Sequence, residues 1–244
     1  MKKISFTLAA AGMFVMGTTT ASAAMLQDDA AAATSKGFTQ ILKEQFIQGG
    51  PAFMGIVLLC LILGLAVAIE RIIYLNMATT NTSALKESVE AALASGGVEE
   101  AKNVCRETSG PVASIYYQGL ERSGEGLEAA EKAVVSYGGV QMGQLEKNVS
   151  WLSLFIAIAP MLGFMGTVIG MIQAFQKIAA VGNLSASLIA GDIQVALLTT
   201  VFGLIVAIIL QIFYNYIIAK IDAIVNDMED SSISLIDMLA TLKK

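Results

Sequence analysis

The sequence predicts an all-α membrane protein with three transmembrane helices, the second and third long and extending into the cytoplasm, and a helical cytoplasmic loop between the first two. Three observations predict it. The 244 residues are 55% hydrophobic and only 14% charged, whereas a soluble domain carries roughly 25% charged residues. Three uncharged stretches are each long enough to cross a bilayer, which takes about 20 apolar residues. The polar segment between the first two has helical spacing and no strand alternation. The composition also excludes function classes. With no histidine in the chain, the commonest proton shuttle and metal ligand is missing, together with every Ser-His or Cys-His nucleophile. A net charge of −5 without a Lys/Arg cluster lacks the footprint of a nucleic-acid binder.

Taken in order, Lys2 and Lys3 precede an apolar stretch from Ile4 to Met16, and Ala21-Ser22-Ala23 follows. This is the order of a secretory signal peptide, residues 1–23, cleaved after Ala23. Its apolar run is too short to span, so the alternative of an uncleaved anchor is disfavoured. Removing it takes away two lysines, brings the net charge to −7 and leaves Ala24 outside the cytoplasmic membrane. In the periplasmic segment 24–50, Phe38, Ile41, Leu42, Gln45 and Phe46 follow helical spacing while Lys36, Lys43 and Glu44 fall elsewhere. A short amphipathic helix resting at the interface is expected there.

The first span, 51–75, contains the 18-residue uncharged run Ala52 to Ile69, introduced by Gly49-Gly50-Pro51 and closed by Glu70-Arg71. The second, 148–176, lies between Lys147 and Lys177, and the third, 193–219, between Asp192 and Lys220. Three spans that start outside end inside. The domain 76–147 and the tail 220–244 are therefore expected in the cytoplasm, and 177–192 becomes a periplasmic loop. Arg71, Lys147 and Lys220 stand at the three inner ends, in keeping with the positive-inside tendency.

The cytoplasmic segment shows helical stretches broken at Gly96-Gly97, Gly110-Pro111 and Gly124 to Gly126. Glu121, Arg122, Glu125, Glu128, Glu131 and Lys132 read as a solvated helical face rather than acid–base carboxylates. From Gln141 the pattern can run as one helix into the second span. In the tail, Ile221, Val225, Met228, Leu235, Leu239 and Leu242 repeat at 4-3 spacing with Ser232 in the missing place, one packing seam either within the chain or between subunits. Cys60 in mid-span and Cys105 in the loop cannot meet in a disulfide and read as small apolar residues.

The informative residues are inside the second and third spans. Gly163, Thr167 and Gly170 recur on one face of the second, Gly166 and Gly170 form a G-x-x-x-G pair, and Pro160 leaves the carbonyl of Ile156 without its usual donor. In lipid that carbonyl needs a partner, so a kink beside a polar path is expected. In the third span Ala196, Thr200, Gly203, Ala207 and Gln211 form a stripe of small or polar residues at 3–4 spacing. Spacing leaves two readings open: helix packing alone, or a polar path, since threonine also bonds its own i−4 carbonyl.

Two long motifs bear on that choice. Ala159-Pro160-Met161-Leu162-Gly163-Phe164-Met165-Gly166-Thr167-Val168-Ile169-Gly170, reaching Phe175, resembles the second-span signature of the MotA/TolQ/ExbB proton channel family, in its ExbB/TolQ branch. Ile193, Ala196, Leu197, Thr199, Thr200, Gly203, Leu204, Ala207 and Ile208, followed by Tyr214-Asn215, resemble its third-span signature. The resemblance covers at least residues 50–220. It implies a non-enzymatic subunit of a bacterial inner-membrane motor with protons as its transported ion and no cofactor or metal. Copies would form a homo-oligomeric ring, a pentamer, around the single-span helices of an ExbD-like dimer, and proton flow would drive a TonB-like protein that energises outer-membrane transport. Thr167 and Thr200 match the pore-lining family threonines that face the partner's proton-carrying aspartate, with Thr199 beside them; independently of the family, Gln211 on the same stripe is expected to extend the path toward the cytoplasm. Pro160, Gly163, Gly166, Gly170, Gly203 and Ala207 match its packing positions. Two positions depart from the pattern: Val195 stands where a glutamate is frequent, and Ile209 where a proline is common.

The first departure meets a physical argument that needs no family. Between Lys147 and Lys177, and between Asp192 and Lys220, the sequence has no carboxylate, amine or imidazole. If protons cross, the titrating group comes from another chain. A carboxylate at the bilayer centre costs about 2.5–3.5 kcal/mol on insertion scales, and a membrane potential supplies about 2.3 kcal/mol per charge per 100 mV. The two are comparable, so one proton can toggle such a group, and threonine hydroxyls can bond either of its protonation states. Three alternatives remain open: a TolQ-like envelope motor, a motor for gliding or secretion, and a passive scaffold whose Gly/Thr faces only pack.

Overall fold

The computed structural model describes residues 40, 43, 44, 46, 47, 49–182 and 186–242. The chain divides into two compact units, Met1–Gln48 and Gly49–Lys244. In the first, the described residues are helical; Lys43 and Glu44 are exposed and Phe46 is half-buried. The expected signal peptide, and Phe38, Ile41, Leu42 and Gln45 of the expected amphipathic helix, lie outside the described residues.

Among its described residues the second unit contains seven α-helices: α1 (Pro51–Ala78), α2 (Thr82–Ser95), α3 (Gly97–Glu107), α4 (Pro111–Arg122), α5 (Leu127–Leu145), α6 (Val149–Val181) and α7 (Ala186–Leu242), with a 3-10 turn at Ser123–Glu125. Among the described residues there is no strand. Three helical stretches, within Phe53–Ser95, Leu127–Val181 and Ile189–Thr241, are long and apolar enough to cross a membrane. The chain is a multi-pass membrane protein.

Local sequence explains the helix ends. Pro51 opens α1 in the first turn, where its missing N–H costs nothing. Asn81 caps α2 by accepting the Ala84 N–H at 3.2 Å. Gly110, at φ 127°, stands directly before Pro111, the first residue of α4. A side chain at Gly110 would also meet the Ala78 carbonyl at 3.1 Å. The breaks expected at the three glycine sites separate α2 from α3, α3 from α4 and α4 from α5.

Two boundaries differ from expectation. The expected continuous helix from Gln141 into the second span is interrupted at Glu146–Asn148. Asn148 adopts the left-handed conformation at φ 65°, which asparagine tolerates better than most residues. Nearby, the guanidinium of Arg71 donates to the Gln144 carbonyl at 3.3 Å, one of the end carbonyls that α5 cannot pair internally. The expected loop 177–192 is mostly helix: α6 continues to Val181 and α7 begins at Ala186. Span length is set by lipid, but helix length is not, so charged Lys177 and Asp192 do not end their helices.

The 33 residues of α6 and 57 of α7 amount to about 50 and 85 Å at 1.5 Å per residue, against a hydrocarbon core of about 30 Å. α7 therefore serves two packing regions. Its first half pairs with α6, and α1 packs on both. Its second half presents Ile221, Ile224, Met228, Leu235 and Leu239 to α2, α4 and α5, where Leu85, Val89, Tyr116, Leu120 and Val134 are buried. The tail seam is thus intramolecular, which decides the alternative that its spacing left open. On the spans, Ile62, Met161, Phe164, Phe175, Leu197, Ile208 and Ile212 face outward, as lipid or neighbouring chains require.

Candidate functional site

The contact between α6 and α7 is built backbone against backbone. At Gly203, an added Cβ would lie 2.6 Å from the Ala159 carbonyl oxygen and 3.2 Å from the Gly163 Cα. At Gly163 it would lie 2.9 Å from the Thr199 carbonyl oxygen, and at Gly170 it would lie 3.0 Å from that of Asp192. Gly166 receives the side chain of Thr199, whose Cβ would be 2.8 Å away. The small residues picked out by spacing are therefore the ones that let the two backbones touch. Pro160 lies inside α6, which continues as helix through it.

This approach places three hydroxyls around one carbonyl. Thr200 Oγ1 donates to the Gly163 carbonyl at 3.0 Å, and Thr167 Oγ1 reaches the same oxygen at 3.3 Å and the Ala196 carbonyl at 3.4 Å. The hydroxyls of Thr167 and Thr200 are also hydrogen-bonded to each other. Both residues are half-buried at the edge of the contact. Thr199 is different. It is buried, and its hydroxyl donates to the Ala196 carbonyl of its own helix at 2.8 Å and reaches Gly163 at 3.4 Å. Successive helix residues are turned by about 100°, so one of two adjacent threonines fills the seam and the other reaches its rim.

The stripe expected on α7 follows the same geometry. The buried line is Ala196, Thr199, Gly203, Val206 and Leu210. Thr200 and Ala207 are half-buried beside it, and Gln211 is exposed, donating to Asn215 Oδ1 at 3.0 Å. Gln211 stands 11 residues beyond Thr200, about 16 Å along the axis, and is not brought to the threonine pair. Val195, at the frequent glutamate position, is half-buried near Gly50.

Sequence reading missed two features here. Lys177 Nζ and Asp192 Oδ1 form an ion pair at 2.7 Å across the connected ends of α6 and α7. The signal was available: these two charges border the two uncharged stretches. Arg71 is buried, paired with Glu70 and stacked over the Tyr74 ring at 4.6 Å, where the sequence suggested only an interfacial charge. Among the described residues no group of three His, Cys, Asp or Glu side chains converges to hold a metal ion.

Residues 107–230, which include the whole threonine site, match the MotA/TolQ/ExbB proton channel family. The chain belongs to that family. Among MotA/TolQ/ExbB proteins it is 32% identical over 169 residues to a biopolymer transport protein ExbB homolog of Methanothermobacter thermautotrophicus, covering 69% of this chain and 60% of that protein. It is 35% identical over 94 residues to the biopolymer transport protein ExbB of Xanthomonas campestris, which is 36% of this chain and 37% of that one. With the biopolymer transport protein ExbB of Neisseria meningitidis it shares 27% identity over 193 residues, 72% of this chain and 86% of the relative. The chain thus spans less than two thirds of the length of the first two relatives.

Proposed function

We propose that this chain is the multi-span subunit of a proton-driven motor of the bacterial inner membrane, with its N-terminus periplasmic and its C-terminus cytoplasmic. Copies assemble as a ring, a pentamer, around the helices of an ExbD-like single-span partner, and the proton motive force is passed to a TonB-like protein for outer-membrane transport. One observation carries this reading. The Thr167 and Thr200 hydroxyls are joined at the rim of a seam closed by glycines, at a depth where neither α6 nor α7 has a carboxylate, amine or imidazole. Packing alone would be served by Thr199, which the seam encloses. The half-buried pair at the rim instead offers hydroxyls to a neighbouring chain.

The chemistry follows from that placement. A partner aspartate facing the rim can, when ionised, accept from a threonine hydroxyl that turns away from its Gly163 or threonine partner, and can donate its own proton to a threonine oxygen when neutral. The hydroxyls thereby offset part of the cost of about 2.5–3.5 kcal/mol for a charge at mid-membrane. This chain holds no proton at that depth; it stabilises and positions the group that does. Three relatives that bear the name biopolymer transport protein ExbB favour the TonB-linked output over a TolQ-like, gliding or secretion motor.

The test is the double variant Thr167→Val/Thr200→Val, which keeps shape and removes both hydroxyls. Proton flux through the complex, reconstituted in vesicles with its co-purified partner, is expected to be lost while the oligomer and partner are retained. Flux at the wild-type level in that variant would overturn the role given to the two hydroxyls, and a wild-type complex that carries no protons would overturn the motor reading and leave the scaffold reading standing. Mass spectrometry of the co-purified chains identifies the partner, and with it the output.

A further inference from the structure

We infer that the groove between α5 and α7 receives the helical segment by which the single-span partner continues from its span into the cytoplasm, a segment with apolar and basic side chains. This rests on the proton-motor reading above. Thr200, Gln211, Asp222 and Ile233 stand eleven residues apart on α7. Eleven steps of about 100° return a helix to within about 20° of its starting direction, so the four mark one line, about 50 Å long at 1.5 Å per residue. α6 flanks this line at the threonine pair, and α5 flanks it beyond the break at Glu146–Asn148. α1 leaves the line uncovered: it meets α7 at Leu210 beside Gly64, about 100° round the helix from Gln211.

Polarity along this line is the reverse of what its surroundings require. Within the uncharged stretch it carries the half-buried Thr200 and the exposed Gln211. On the cytoplasmic side it opens into a groove of about 430 Å³, lined by Val135, Gly139 and Met142 of α5 and by Val225, Glu229 and Ile233 of α7. Val135 is 70% exposed, Ile233 63% and Met142 42%, and a methyl added at Gly139 would meet nothing within 4 Å. Lipid does not reach the far end of this groove. Val135 lies 12 residues before Lys147 and Ile233 lies 13 after Lys220, about 18 and 20 Å from those boundary charges. Single exposed apolar residues are ordinary, but a contiguous apolar groove rimmed by polar groups marks a binding surface. One chain lying along the line satisfies both anomalies, with a polar group beside Thr200 and apolar side chains beside Val135 and Ile233. The partner's span already lies at the threonine rim in the proton-motor reading, so its continuation reaches the groove without a turn. Charge sets the sign of that segment. Within four residues of Val135, Val225 and Ile233 the chain has Glu131, Asp222, Asp227, Glu229, Asp230 and Asp237 against Lys132. Such charges select a basic partner, while the apolar side chains supply the affinity. A second copy would bring its own loop 76–147, with ten carboxylates against six Lys and Arg, like charge against like.

The test places a photo-crosslinking amino acid at Val135 or at Ile233 of the full chain, purifies the complex with its partner, and identifies the joined peptides by mass spectrometry. Both positions are expected to join a partner peptide that adjoins its span on the cytoplasmic side and contains lysine or arginine. Joining to a second copy of this chain, to an acidic peptide, or to nothing would overturn the inference. Substitution gives an independent readout. Val135→Glu and Ile233→Glu alter exposed side chains, so circular dichroism and the homo-oligomer are expected to stay unchanged. The retained partner falls by at least about tenfold, because a charge is then buried against an apolar segment. Val140→Glu is the control: Val140 is an exposed apolar residue of α5 that does not line the groove, and this variant keeps its partner. Equal retention in all three variants would overturn the inference, as would loss of the homo-oligomer with the partner still bound. If no single-span partner purifies with the wild-type chain, the motor reading fails and this inference with it. If the wild-type complex holds its partner and carries protons while Val135 and Ile233 join elsewhere, this inference alone fails.

Discussion

Gly203→Ala tests the seam most directly. The added methyl would lie 2.6 Å from the Ala159 carbonyl oxygen and 3.2 Å from the Gly163 Cα, and both neighbours are backbone atoms that no rotamer change can move aside. Ordinary contact starts at 3.4 Å, so the two helices must part by roughly 0.8 Å, a gap that forfeits much of the dispersion energy across the seam. Overpacking of this kind costs about 1–3 kcal/mol, offset by about 0.5–1 kcal/mol because alanine is the better helix former. The net loss is about 1–2 kcal/mol, or a fall in melting temperature of about 2–8 °C for a chain of this size. Gly191→Ala is the control: it adds the same methyl on the same helix, with nothing within 4 Å. Thermal unfolding followed by circular dichroism in one detergent compares the two. The same separation stretches the Thr200 bond to Gly163, so flux in the reconstituted complex should fall in Gly203→Ala and not in Gly191→Ala. A Gly203→Ala protein that melts at or above Gly191→Ala, with full flux, would refute the tight seam.

Two further outcomes are expected. Arg71→Met keeps an unbranched apolar stem but removes the guanidinium from the Gln144 carbonyl and Glu70; the loss of about 1.5–3 kcal/mol expected for charged hydrogen bonds should lower the melting temperature and speed proteolysis at Glu146–Asn148. Alkaline pH should destabilise the helical domain through Cys105 and Tyr116, since burial pushes the Cys105 thiol up to about 12 and the Tyr116 phenol up to about 12. Both are neutral when protonated, and in the unfolded chain they release their protons near pH 8.5 and 10. The folded state therefore binds more protons between those values and about pH 12, and its stability is intact below that window and falls as pH rises through it. Melting temperatures across that range should decline less steeply in Cys105→Ala/Tyr116→Phe than in wild type.

Much of the fold was legible because its causes are local. The glycines at the starts of α3, α4 and α5 break the helices through their own backbone, Gly97, Gly110 and Gly126 all having positive φ, and an uncharged run such as Ala52 to Ile69 is apolar in any context. The break at Glu146–Asn148 was not legible. It coincides with Arg71 from α1 bonding the end of α5, a contact across 73 positions, and the residues around it read as ordinary helix. The threonine site was half legible: its residue types and periodicity were visible, but periodicity cannot distinguish Thr199 from Thr200 when both lie near the same stripe.

By itself the sequence determined that lipid must be the solvent for three segments, that small residues line one face of the second and third, and that these two hold no carboxylate, amine or imidazole. These are properties of composition and spacing. Only the tertiary structure decided which threonine is enclosed and which reaches the rim, that the tail seam closes on helices of its own chain, and that Lys177 pairs with Asp192 across the ends of α6 and α7. Each of these depends on the rotation and approach of one helix against another, which backbone contacts at Gly163, Gly170 and Gly203 set and no single segment encodes.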